Sequence, residues 1–144
     1  GIVAGTEACD DGVNSGLCGS CATDCSQETT CWTQVAAGWM HTCGLKADGS
    51  VACWGANDGG PNDYGQATPP AGTFTQVGAG YYHTCGVKTD GTVACWGAND
   101  SGQSTPPVGT FSQIAAGYTH TCGVTTDGTV ACWGNNDGGQ STPP

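Results

Sequence analysis

Short apolar runs broken by glycine- and aspartate-rich turns recur along most of the chain in a constant order. The clearest example is His83-Thr84-Cys85-Gly86-Val87-Lys88, then Thr89-Asp90-Gly91, then Thr92-Val93-Ala94-Cys95-Trp96-Gly97. Its β-branched and aromatic residues predict two strands, and Thr89-Asp90-Gly91 predicts a three-residue turn with the glycine left-handed. Copies occupy 41–55 and 120–134, so the histidines that open them lie 42 and 37 residues apart. A period of this length predicts units that bury apolar surface only against their neighbours. Ahead of each hairpin stands an aromatic (Trp32, Phe74, Phe111) and a further short strand, Thr33 to Ala37, Thr75 to Ala79 and Ser112 to Ala116. Each unit closes on Gly-Gln and Thr-Pro-Pro, which sets repeats of 32–70, 71–107 and 108–144. Three short strands per unit predict a propeller blade or a β-solenoid rung rather than a sandwich.

Folding the hairpin about Asp90 sets Cys85 opposite Cys95 and Thr84 opposite Trp96. With residues 88 and 92 closing the turn as a hydrogen-bonded pair, alternation makes 85 and 95 a close, non-hydrogen-bonded pair suited to a cross-strand disulfide. The same counting pairs Cys43 with Cys53 and Cys122 with Cys132. Trp54, Trp96 and Trp133 then point to the opposite face, where each is expected to cover the glycine across from it, Gly44, Gly86 or Gly123.

Composition changes the picture in one respect. Leu, Ile, Val and Phe make up only 16 of 144 residues and the net charge is −10, values that without crosslinks would predict disorder. Eleven cysteines reverse that expectation and point to an oxidising compartment. The chain is therefore expected to be extracellular or at the cell surface. It starts at Gly1 rather than Met, as after signal-peptide removal or with an edited terminus. No apolar run approaches the ~20 residues of a membrane span. With Lys46 and Lys88 its sole basic side chains besides histidine, the chain lacks the footprint of a nucleic-acid or anionic-lipid binder.

Residues 1–31 differ from the rest. They hold five cysteines, Cys9, Cys18, Cys21, Cys25 and Cys31, and no tryptophan, and read as a loop-rich disulfide module. Cys9-Asp10-Asp11-Gly12 and the cysteines after it resemble the cysteine-rich repeats of secreted and surface proteins of myxobacteria and related bacteria. In that family the position of Cys18 is commonly aromatic. With six cysteines assigned to hairpins, five remain, so one is left for an intermolecular disulfide or a free thiol.

The repeat region, 33–142, resembles the regulator of chromosome condensation repeat superfamily. The shared line is Ala-Gly, an aromatic, His, two residues, Gly-Val or a similar pair, Asp-Gly, Val, Trp-Gly, Asn and Gly-Gln. The short period is similar to that of bacterial relatives with three-stranded blades, such as β-lactamase inhibitory protein type II. The resemblance implies a β-propeller, usually of seven blades, that binds proteins through its loops. This chain departs from it in having paired cysteines and three repeats.

Little in the sequence points to chemistry. His41, His83 and His120 occupy equivalent positions in successive units, so a structural bond to a neighbouring loop is expected rather than a metal site. No hydrolase, phosphate-loop or zinc-protease motif occurs. Cys18-x-x-Cys21-x-x-x-Cys25 has a spacing compatible with zinc or an iron-sulfur cluster, but the setting favours disulfides. Loops such as Asn57-Asp58-Gly59 and Asn136-Asp137-Gly138 offer oxygen ligands for Ca²⁺, and the same residues suit plain turns. Asn99-Asp100-Ser101 is a formal glycosylation sequon. The aromatics after each Ala-Gly, Trp39, Tyr81 and Tyr118, form a periodic stripe suited to sugar rings, to a partner protein, or to packing between blades. The first repeat alone has five extra residues, within Asp58 to Gly65, the expected place for a local specialisation.

The expectation is an all-β protein with β-propeller-type blades, three repeats in a partial propeller or an open stack, behind an N-terminal disulfide-rich module. Repeats 71–107 and 108–144 match at 29 of 37 positions, and uniform faces suit stacking on copies of themselves. The expected function is therefore a secreted, non-catalytic structural protein that assembles head to tail into a ring or filament, without a cofactor. The alternative is an extracellular binding or adhesion module, part of a larger propeller recognising a protein or glycan.

Overall fold

The computed structural model describes residues 31–144, and within them the chain forms nine strands and no helix. They group into three antiparallel sheets of three, each in sequence order: β1 (Trp32–Ala37), β2 (His41–Lys46) and β3 (Val51–Gly55); β4 (Phe74–Ala79), β5 (His83–Lys88) and β6 (Val93–Gly97); β7 (Phe111–Ala116), β8 (His120–Thr125) and β9 (Val130–Gly134). These are the first, second and third blades of an all-β, propeller-type array. By contacts the chain divides into compact units Gly1–Cys31 and Trp32–Pro144. Cys31 is buried and disulfide-bonded. Cys9, Cys18, Cys21 and Cys25, with the question of an odd thiol, lie outside the described residues.

The hairpin turn follows from its chemistry. Gly91 takes φ of +84°, its N–H bonds to the Lys88 carbonyl, and the Lys88 N–H bonds to the Thr92 carbonyl. Asp90 fastens the turn by accepting the Thr92 N–H at 2.9 Å and its hydroxyl at 2.6 Å. That geometry sets the register, in which Cys43 faces Cys53, Cys85 faces Cys95 and Cys122 faces Cys132. All three pairs are disulfides, with Cα atoms 4.1, 4.0 and 4.0 Å apart, the close approach of a non-hydrogen-bonded pair.

One expectation about the opposite face requires correction. The ring over each strand glycine belongs to the residue that opens the repeat: a Cβ at Gly44 would fall 2.3 Å from the Trp32 ring, and Cβ atoms at Gly86 and Gly123 would fall 2.6 and 2.7 Å from Phe74 and Phe111. The hairpin tryptophans lie edge-on beyond those rings, with centroids 5.9 Å apart for Trp32 and Trp54, 6.0 Å for Phe74 and Trp96, and 5.9 Å for Phe111 and Trp133. The reason is a register shift between the first and third residues of β1, β4 and β7, which brings the opening aromatic onto the same face as the glycine. The strands accordingly begin at the aromatic itself.

Each blade thus has two unlike faces, and they interlock. One face carries the disulfide with Leu45, Val87 or Val124; the other carries the aromatic, a Val or Ile, and the Trp. Cys43 and Leu45 of the first blade pack with Phe74, Val77 and Trp96 of the second, and Cys85 and Val87 of the second with Phe111, Ile114 and Trp133 of the third. The core is the seam between blades, as period-two strands require when each sheet has neighbours on both sides.

Two outcomes are expected. Replacing both Cys85 and Cys95 by Ser removes a short crosslink and lowers stability by about 3 kcal/mol in urea unfolding. Gly86→Ala drives a methyl into the buried Phe74 ring and costs about 1–3 kcal/mol in the same measurement, whereas Gly78→Ala, where a Cβ would meet nothing nearer than 3.5 Å, leaves the packed rings in place.

Candidate functional site

The polar residues of the repeat converge on the seams. His41 Nε2 lies 2.7 Å from Thr84 Oγ1, and His83 Nε2 lies 2.8 Å from Thr121 Oγ1. The threonine hydroxyls donate in turn to the carbonyls of Gln66 and Gln103, each at 3.2 Å. Those same carbonyls accept Trp96 Nε1 at 2.8 Å and Trp133 Nε1 at 2.9 Å. A histidine and a loop carbonyl from one blade therefore grip a threonine and a tryptophan from the next. The histidine partner is a strand threonine, where a loop was expected, because His41 and His83 sit on the disulfide-bearing face that the following blade covers.

A second clamp operates on β4 and β7, the first strands of the second and third blades. The Gln34 side chain donates to the Val77 carbonyl at 2.8 Å and accepts its N–H at 2.9 Å; Gln76 does the same to Ile114, at 3.1 and 2.6 Å. A side-chain amide thus replaces a missing strand neighbour on β4 and β7. At the corner before each hairpin the backbones come closest, since a Cβ at Gly80 would lie 2.4 Å from the Gly117 carbonyl oxygen.

The aromatic stripe is a spine that crosses the seams. Trp39 and Tyr81 stack at 5.1 Å and 24°, and Tyr81 and Tyr118 at 4.0 Å and 32°. The Tyr81 hydroxyl bond to Tyr118 raises the Tyr118 phenol above its usual range. These rings border a groove of about 350 Å³ floored by Ala37, Gly38, Ala79 and Gly80. The stripe also has a lateral branch, which the repeat pattern did not reveal: Tyr82 touches Tyr81 at 4.4 Å and Tyr64, in the extra loop, at 4.9 Å.

Among the described residues no group of three or more metal-binding side chains assembles. Asn99 is held inside its loop by the Thr105 hydroxyl at 3.0 Å and the Ser104 N–H at 2.9 Å. Among the described residues no helix is long and apolar enough to cross a membrane.

The blades at the two ends of the array present the unmatched halves of these seams. On the first blade Trp32, Val35 and Trp54 are 49, 67 and 51% exposed, whereas their counterparts Phe74, Val77 and Trp96 are 3, 1 and 8% exposed. On the third blade a shallow apolar hollow of about 150 Å³ opens among Ala115, Cys122, Val124 and Val130, where the first and second blades receive their neighbours. His120 and Gln113, equivalent to residues that clamp the next blade elsewhere, are half-buried and exposed.

A family model described as "Regulator of chromosome condensation (RCC1) repeat" matches residues 32–66, 74–103 and 111–140. No curated protein matches the chain. Among solved structures, the entire ectodomain of the Physcomitrella patens receptor kinase CR4 is 32% identical, with a TM-score of 0.62 over 73% of this chain and 30% of that one. The CRINKLY WD40 ectodomain of the Arabidopsis thaliana receptor kinase ACR4 is 33% identical, with a TM-score of 0.57 over 72% of this chain and 36% of that one. Prp20p from Saccharomyces cerevisiae, described with its binding to Gsp1p and histones, is 25% identical, with a TM-score of 0.63 over 76% of this chain and 32% of that one. The chain spans about a third of the length of each.

The seam histidines generate a pH prediction. Thr84 and Thr121 give their single hydroxyl proton to a carbonyl, so His41 and His83 donate through Nε2–H, and their buried Nδ1 atoms have no partner. Protonation there would create a buried charge and an unmatched donor. Burial, with the neighbouring His41 and His120, lowers His83 from 6.5 to about 4, and burial also lowers His41. Between about pH 6.5 and 4 the unfolded chain therefore binds more protons than the folded one. Stability is complete above pH 6.5 and falls as the pH drops towards 4, by roughly 3 kcal/mol for His83 alone. Melting temperatures across that range check it, and His83→Gln flattens the profile.

Proposed function

Because the chain belongs to the regulator of chromosome condensation (RCC1) repeat family, we propose that it is a non-catalytic, extracellular blade module that associates head to tail with copies of itself into a ring or filament. The observation that supports this reading is the match between the end faces. Trp32, Val35 and Trp54 of one copy correspond to the residues that fill each internal seam, and the third blade of another copy carries the corresponding hollow. The polar clamp continues across the same contact: Thr42 is the counterpart of Thr84 and Thr121, and His120 and the Gln140 carbonyl are the groups that would grip it and Trp54. Association repeats a contact the fold already makes twice, with no new surface required. Three disulfides and the two ectodomain neighbours support an extracellular setting. No cofactor is part of this reading.

A second reading has its own support. The similar structures are about three times longer, and Prp20p is described as binding Gsp1p and histones. In this version the blades are a segment of a larger propeller that recognises a protein or glycan, and further blades cover the same two faces.

Light scattering and electron microscopy of the native protein separate the two. Rings or filaments are expected, and Val35→Asp, which places a charge at the centre of the exposed ridge, is expected to return them to monomers that keep the same circular-dichroism spectrum and lose only the melting temperature that assembly contributed. A stable monomer at high concentration, or assembly indifferent to Val35→Asp, defeats self-association through these faces.

A further inference from the structure

The blades are near copies, and the places where they stop being copies meet. The residue after each spine aromatic is Met40, Tyr82 and Thr119, so only the second blade puts two tyrosines in succession. The five extra residues of the first repeat bring Tyr64. Tyr64 and Tyr82 contact each other at 4.9 Å, and the Tyr82 hydroxyl donates to Asn62 Oδ1 in the same loop at 2.8 Å. Tyr82 abuts Tyr81, which is stacked between Trp39 and Tyr118. Five rings are thereby continuous. Trp39, Tyr118 and Tyr64 are 62, 61 and 45% exposed, an apolar concentration well beyond scattered surface residues.

Charge indicates what covers this surface. His41 pairs with Gly55, so the corner that bears Trp39 and the loop that follows β3 leave the blade at the same end. Asp58, Asp63, Asp100 and Asp137 belong to the loops at that end, while Lys46 and Lys88 stand at the hairpin end of β2 and β5. Among the described residues the aromatic end has no lysine or arginine, and His41 and His83 there are buried and neutral. Asp63, next to Tyr64, accepts the Gly59 N–H at 2.8 Å and the Gly65 N–H at 2.9 Å, which hold its carboxyl below the usual range and keep it ionised. Both faces of Tyr81 are occupied by neighbouring rings, so the centre of the spine offers no open ring face.

We propose that the five-ring surface, with Asp63 at its edge, is a docking surface for a lysine- or arginine-bearing segment of a partner protein. The ring edges of the spine and the lateral rings Tyr64 and Tyr82 take the alkyl stems and cationic heads, and Asp63 supplies the opposite charge. A second copy of this chain suits the role poorly, since it has no arginine and its two lysines stand on separate blades beside the turn aspartates Asp48 and Asp90, in a chain of net charge −10. Head-to-tail contact would cover only the outer faces of Trp39 and Tyr118; Tyr64, Tyr82 and Asp63 lie at the internal seam between the first and second blades, so docking there does not depend on chain association.

The test is a titration of the native protein with a short Lys/Arg-rich peptide, a neutral peptide of the same length and a neutral oligosaccharide, followed by tryptophan fluorescence and calorimetry at about 0.15 M salt, where diffuse attraction is screened. The basic peptide alone is expected to bind. Tyr64→Ala and Asp63→Asn are each expected to weaken it about tenfold, with Tyr64→Phe restoring affinity, while Asp127→Asn at the hairpin end leaves it unchanged. Equal loss in all acidic variants, full affinity in Tyr64→Ala, or preference for the oligosaccharide overturns the proposal. Melting curves of Tyr64→Ala and Tyr64→Phe separate loss of binding from loss of fold, and light scattering of the same samples reports association independently.

Discussion

Everything in this structure depends on one contact: the aromatic, aliphatic and tryptophan ridge of a blade laid against the disulfide-bearing face of the blade before it. A three-stranded sheet of five- and six-residue strands has too little apolar surface to be stable alone. Here the sheet is stiffened by a crosslink between its middle and outer strands and by the aromatic that seals its glycine. What remains apolar is arranged so that Val77 or Ile114 fills the space above the preceding disulfide. A chain with few large aliphatic residues can fold this way because each seam draws on the same five repeat positions.

The seam is also where the polar groups are spent. Gln66 and Gln103 carbonyls each satisfy a threonine and a tryptophan, and Gln34 and Gln76 close both backbone groups of a residue across the gap. Such a network is directional, so it allows one register between blades and rejects slipped ones. Its weak member is the histidine, whose second nitrogen is buried without a partner. A structure tuned in this way is suited to neutral surroundings and loosens in acid, at the seams before the hairpins, since the disulfides do not titrate.

Uniform seams and non-uniform loops divide the work of the molecule. The repeated residues build two seams through equivalent contacts. The departures from repetition, Tyr82 and the longer loop with Asn62, Asp63 and Tyr64, gather at a single end. The proposed association centres on Trp32, Val35 and Trp54 and the proposed docking on Tyr64, Tyr82 and Asp63, so the two draw on different residues.

Local chemistry was enough to derive the hairpins. The Asp-Gly turn sets the register, the register sets Cys85 against Cys95, and period-two alternation sends cysteine and tryptophan to opposite faces; each step involves residues close in sequence. The blade architecture was legible for the same reason, through the repeat. What sequence could not decide is anything made between blades or by a shift of a single residue. The bulge after Phe74 that places its ring over Gly86, in place of Trp96, arises from strand pairing in three dimensions. Likewise the partner of His83 is Thr121, 38 residues away, and the meeting of Tyr64 with Tyr82 depends on how a loop of one blade folds back over the corner of the next. Those contacts are settled by packing, because only the stacked blades bring the two halves of each seam within reach.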